Sequence, residues 1–179
     1  MRRLLLAVLL LLPTALAADD WDALAQPGAV AIMRHALAPG TGDPEDFRRG
    51  DCATQRILDD RGRAQARAIG AAFRARGIAF DAVLTSQWCR TRETAELLGF
   101  GPVTEAPALN SFFGRFERRD GQTSALRDLL AAEPRRIMLV THQVNISALT
   151  GQATRSGEVL VIRMRDGAAE VLGRILIDP

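Results

Sequence analysis

Only two histidines occur in the chain, His35 and His142, and each directly follows a short apolar run. The first run reads AVAIM before Arg34-His35, and the second reads RIMLVT before His142. Arg34 adjoins His35, and Arg90 stands four residues beyond the run DAVLTS (81–86). Guanidiniums close to an imidazole oppose its protonation and lower its pKa. A neutral imidazole keeps a nitrogen lone pair and can act as a nucleophile. The same guanidiniums are fork-shaped donors that match phosphate oxygens. Together these residues suit one reaction. The arginines recruit a phosphoryl dianion, one imidazole attacks it, and His142 donates to the equatorial oxygens of the transition state. That arrangement requires no metal and no cofactor. Two histidines also lack a third zinc ligand at any recognised spacing.

These side chains need elements that hold them. The three apolar runs read as buried strands, and helical patterns lie between them. RGRAQARAIGAAFRARG (61–77) sets Ala64, Ala68, Ala71, Ala72 and Ala75 on one face and arginines on the other. TRETAELLG (91–99) is a shorter helix that Gly99 can stop, and TSALRDLLAAE (123–133) ends before Pro134. NISALTG (145–151) begins at Asn145, a residue able to cap a helix. The tail, EVLVIRMRDGAAEVLGRILI, is two alternating runs about Asp166-Gly167 and reads as a hairpin. Strands alternating with helices imply an α/β fold with a mainly parallel sheet. In such sheets ligands bind at the carboxyl ends of the strands. Arg34, His35, Ser86 and His142 all fall there. Residues 36–60 show no periodicity, and a loop of that length is often functional.

The chain has 179 residues, 23 basic and 21 acidic. Residues 1–17, MRRLLLAVLLLLPTALA, have the charged, apolar and Ala-x-Ala regions of a secretory signal peptide. Its cleavage would remove Arg2 and Arg3 and leave 162 residues with 21 basic and 21 acidic side chains. That balance gives no ground for a nucleic-acid partner. The length fits one domain, 18–179, and no later segment is apolar enough to span a bilayer. A periplasmic or secreted location follows. The two cysteines, Cys52 and Cys89, could form one bridge in an oxidising compartment or remain as two buried thiols.

Four blocks of the sequence resemble the histidine phosphatase superfamily, the phosphoglycerate mutase-like proteins. Arg34-His35-Ala36 resembles its Arg-His-Gly signature. LDDRGRAQA (58–66) is similar to its Leu-x-x-x-Gly-x-x-Gln-Ala stretch. LTSQWCRTRETA (84–95) is similar to Ser-Pro-x-x-Arg-x-x-x-Thr-Ala, and LVTHQVNISAL (139–149) to the strand carrying the second histidine. The blocks occur in the family's order. The resemblance implies a three-layer α/β/α sandwich. It also implies phosphorylation of His35 during turnover, with Arg34, Arg90 and His142 completing the phosphate pocket. Thr41 stands where many members place an Asn that touches phosphate, and Ser86 and Gln143 are further candidates for contacting substrate. If the four blocks meet at one site, Cys52 and Cys89 approach one another and a bridge would clamp the long loop.

The sequence also departs from the family pattern. Ala36 replaces Gly, Gln87 replaces the usual Pro, and Trp88 replaces a small apolar residue. The proton donor is absent from both familiar places: Gln143 follows the second histidine, and Asn110-Ser111 occupy the other region. The remaining carboxylates near the blocks are Asp43, Asp46 and Asp51 in the loop and Glu117 and Asp120 beyond the pair Phe112-Phe113. Asp51 is the first candidate, through its tie to Cys52, and Glu117 the second. The expectation is an exported phosphomonoesterase acting on a small phosphorylated substrate, with an envelope phosphosugar as one example. The alternative is a non-catalytic envelope protein that binds a phospho-ligand.

Overall fold

Strand residues in a sheet alternate between two faces, and here both faces meet helices. Residues 20–177 are described by the computed structural model; the signal peptide expected over 1–17 lies outside them. Six strands form one sheet: β1 (Val30–Arg34), β2 (Ala82–Thr85), β3 (Val103–Glu105), β4 (Ile137–Thr141), β5 (Val159–Arg165) and β6 (Ala168–Ile175). Their order is β3-β2-β4-β1-β5-β6. The first four are parallel to one another, and β5 and β6 run antiparallel at one side. The helices are α1 (Asp60–Ala75), α2 (Cys89–Leu98), α3 (Arg119–Ala132) and α4 (Gln143–Thr150).

The central strands are apolar on both faces, as a sheet covered twice requires. Ala31, Met33, Met138 and Val140 pack on Ile69 and Phe73 of α1 and Leu98 of α2. Ile32, Leu139 and Leu160 pack on Leu126 and Leu130 of α3 and Ile146 and Leu149 of α4. The result is the three-layer α/β/α sandwich expected, with a mainly parallel sheet. The hairpin turn is where the sequence put it: Asp166 and Gly167 take positive φ of 52° and 77°, as a two-residue type I′ turn demands.

Three local readings change. The alanines of α1 do not form its buried face; Gly62, Gln65, Ala66, Ile69, Gly70 and Phe73 do. The reason is close backbone approach. A Cβ on Gly62 would stand 1.9 Å from the Leu37 carbonyl oxygen, and one on Gly70 would stand 2.0 Å from that of Leu98. Asn145 does not cap α4, which starts after His142; its side chain instead donates to the Asn110 carbonyl at 2.9 Å. Strand β3 carried no apolar signal because it is a three-residue edge strand with two exposed positions.

Candidate active site

Strand register brings the two histidines together. Arg34 of β1 pairs with Thr141 of β4, so the next residues, His35 and His142, leave the sheet side by side. The His35 N–H donates to the Thr141 carbonyl at 3.0 Å, and the imidazole centroids are 5.6 Å apart. β2 flanks β4 on its other side, and Ser86 follows its last residue. Arg90 rises from the first turn of α2. The segment after His35 is seated by α1. Gly62 lets Leu37 approach, Gln65 accepts from the Leu37 N–H at 3.0 Å, and Ala66 packs among Ala36, Ala38 and Leu58.

Hydrogen bonds fix which imidazole nitrogen is free. His35 Nδ1 lies 2.7 Å from the Ala36 carbonyl, an acceptor, so Nδ1 carries the proton. Nε2 is then bare, and it accepts from Arg90 Nε at 3.3 Å. Burial pushes the His35 pKa down to about 3, with the positive charges of Arg90, Arg34 and Arg56 adding to the effect. His142 is held in a related way. Arg90 donates to its Nδ1 at 3.4 Å, so its Nε2–H donates to Ser86 Oγ at 2.8 Å. Burial, then Arg90 and His35, lower its pKa well below the usual range.

Arg34, His35, Thr41, Arg90, His142 and Gln143 line one pocket, together with Arg56, Gly40, Gly42, Ser111, Phe113 and Val144. Burial and neighbouring arginines depress the guanidinium pKa values of Arg34 and Arg56, the latter to about 10. The site is thus a desolvated, like-charged cluster shaped for an anion. Gln143 borders the pocket, but its amide is turned to structure: Oε1 accepts from Thr154 and Nε2 donates to Ser147.

Three of the expected residues lie elsewhere. Ser86 is fully buried behind His142, where it also lies 2.6 Å from Thr91 Oγ1; it positions the imidazole and does not line the pocket. Asp51 caps the short turn Cys52–Thr54, accepting from the Ala53 N–H and pairing with Arg48, outside the pocket. Glu117 is exposed in the turn Phe116–Arg118. The Phe pair divides: Phe112 is core and Phe113 is 48 % exposed at the pocket.

Arg56 was missed, and Asp43 was named among the loop carboxylates but not preferred. Arg56 enters the pocket from the long loop, where it donates to the carbonyls of Ala38, Gly40 and Gly42. Its only sequence signal was its place two residues before the buried Leu58. Asp43 pairs with Arg90 at 2.5 Å. The cysteines form a disulfide, Cys52–Cys89, with Cα atoms 5.7 Å apart, which fastens the loop beside Arg90. Among the described residues no cluster of three His, Cys, Asp or Glu side chains could hold a metal ion.

The profile of the histidine phosphatase superfamily (branch 1) matches residues 30–124, more than half of the chain. The chain belongs to this superfamily. Solved structures share the fold at low identity. A chain assigned as the phosphohistidine phosphatase SixA of Agrobacterium tumefaciens is 19 % identical with a TM-score of 0.59, covering 85 % of this chain and 99 % of that one. Phosphoglycerate mutase of Thermus thermophilus is 19 % identical with a TM-score of 0.61, over 84 % and 99 %. A mutant phosphoserine phosphatase of Entamoeba histolytica, solved with phosphoserine, is 14 % identical with a TM-score of 0.57, over 82 % and 95 %. A comparison with curated protein sequences gave no match. Membership of the superfamily supports phosphatase activity and a small phosphorylated substrate.

Proposed function

We propose that this superfamily member is an exported phosphomonoesterase that works through a phosphohistidine at His35. The observation that carries the reading is the bare Nε2 of a buried, neutral His35, set among three guanidiniums. The anionic phosphoryl group is drawn to Arg34, Arg56 and Arg90. His35 Nε2 then attacks phosphorus, the P–O ester bond breaks, and its electron pair leaves with the alcohol oxygen. The guanidiniums offset the charge on the equatorial oxygens, and His142 adds a donor at Nδ1 once it takes up a proton beside them. Water then attacks the phosphohistidine, the N–P bond breaks, and inorganic phosphate departs.

Export is supported by the apolar stretch Leu4–Leu12 ahead of Ala15-Leu16-Ala17. The Cys52–Cys89 disulfide fits an oxidising compartment. No helix among the described residues is long and apolar enough to cross a membrane. In that setting an envelope phosphosugar is the first natural substrate to test. The purified protein is expected to release nitrophenol from nitrophenyl phosphate and phosphate from a subset of a phosphate-ester panel. Binding of phosphate esters without turnover would favour the non-catalytic phospho-ligand binder instead.

A further inference from the structure

When a P–O ester bond breaks, the departing oxygen needs a proton unless its parent alcohol is strongly acidic. None of the side chains lining the pocket is a carboxyl group. One carboxylate nevertheless touches its wall. Asp43 follows Gly40, Thr41 and Gly42, which line the pocket, and its Oδ1 accepts from Arg90 at 2.5 Å. Arg90 is 3 % exposed, and its other two nitrogens face His35 Nε2 and His142 Nδ1 at 3.3 and 3.4 Å. The Asp43 carboxylate is therefore one guanidinium away from both imidazoles.

The position is held by Trp88, a departure from the family pattern, and by contacts around it. Trp88 Nε1 donates to Asp43 Oδ2 at 2.8 Å, and Phe47 stacks on Trp88 with ring centroids 5.1 Å apart. Arg49 donates to Gln87 Oε1 at 3.1 Å, and the Cys89 N–H donates to Gln55 Oε1 at 3.0 Å. With the disulfide, these contacts tie the loop to residues 87–89, immediately before Arg90. Trp88 thus holds Asp43 directly, and Gln87 ties down the loop that carries it.

The geometry points to Asp43 as the general acid of the reaction, and this assignment rests on the phosphohistidine reading above. In the free protein the carboxyl group shares Arg90 with the two imidazoles. A phosphoryl dianion that takes over the Arg90 donors sets two negative charges beside it. Displaced from Arg90, the Asp43 carboxyl enters the reaction carrying a proton taken from solvent. As the P–O bond breaks, that proton passes to the departing oxygen and the alcohol leaves neutral. The resulting carboxylate takes a proton from the water that attacks the phosphohistidine. Phosphorus gains a P–O bond, the N–P pair returns to Nε2, and the sum is ester plus water to alcohol plus phosphate.

The test is kcat/KM for a series of esters running from nitrophenyl to simple alkyl phosphates, in the wild type, Asp43→Asn and Asp43→Glu. The wild type is expected to depend shallowly on leaving-group basicity. Asp43→Asn is expected to depend steeply, with alkyl esters falling roughly 10²–10³-fold further than nitrophenyl phosphate. Its kcat should also lose the alkaline limb of the pH profile, and Asp43→Glu should recover part of the alkyl-ester rate. A proportional loss across all esters in Asp43→Asn would mean that Asp43 only braces Arg90, and a uniform gain would mean that it only obstructs it; either overturns the assignment while leaving the phosphatase reading intact. Absence of turnover by the wild type would overturn both.

Discussion

The reactivity proposed for His35 comes from its position. Its ring is buried at the carboxyl end of a central strand, its Nδ1 proton is committed to Ala36, and three guanidiniums oppose a second proton. Adjacent arginines alone were reason to expect a depressed pKa; burial, which the structure adds, is the larger cause. The consequence for stability has a definite sign. Between the unfolded value near 6.5 and the folded value of about 3, the unfolded chain binds more protons than the native one. His142, also lowered, acts in the same direction. Stability is therefore complete above about pH 6.5 and falls on acidification, by up to about 1.4 kcal/mol per pH unit for each histidine. Denaturant titrations from pH 7 to pH 4 should record that slope, and His35→Asn should flatten it. An identical slope in the variant would mean that His35 is not held neutral.

The elements were legible where periodicity was strong, and the site was legible where it sat on them. The strands ending at Arg34, Thr85 and Thr141 follow the apolar runs, so His35, His142 and Arg90 could be placed from sequence. Arg56 could not, and Asp43 could be named among the loop carboxylates but not chosen over Asp51, because both lie in the aperiodic segment between β1 and α1, whose course is set by contacts distant in sequence. Ser86 was misread for a related reason: a strand end marks where a residue leaves the sheet but not which way its side chain turns. The α1 stripe was misread because glycines, rather than alanines, make its closest contacts. Gly70→Ala should therefore destabilise the protein by about 3 kcal/mol. Gly121→Ala in α3, where an added Cβ meets nothing within 4 Å, should be neutral or slightly stabilising in the same denaturation assay. The disulfide closes a sequence separation of 37 residues. Its removal in a Cys52→Ser, Cys89→Ser double variant should lower unfolding free energy by about 4 kcal/mol on the chain-entropy model. An unchanged unfolding midpoint would mean that the loop contacts alone restrain the chain.

At the scale of the whole molecule, the site exists because of the strand order. Chain order places β2 after β1, yet β4 is inserted between them, so the carboxyl ends of β1, β4 and β2 lie in a row. That row carries His35, His142 and Ser86, with Arg90 one short turn beyond. The antiparallel pair β5 and β6 extends the sheet on the other side of β1, and the segment leading into β5 packs on Arg34 and His35, with the Gly157 N–H donating to both carbonyls. A fold of this kind supports many reactions, so the function must be decided at the site. The central claim is that His35 is the nucleophile, and trapping the phosphoprotein tests it most directly. Brief incubation with a labelled phosphate ester, followed by quenching without acid, should yield a phosphoprotein that is stable to alkali, labile to acid and absent from His35→Ala. Full turnover by His35→Ala, or an acid-stable label on another residue, would contradict the account.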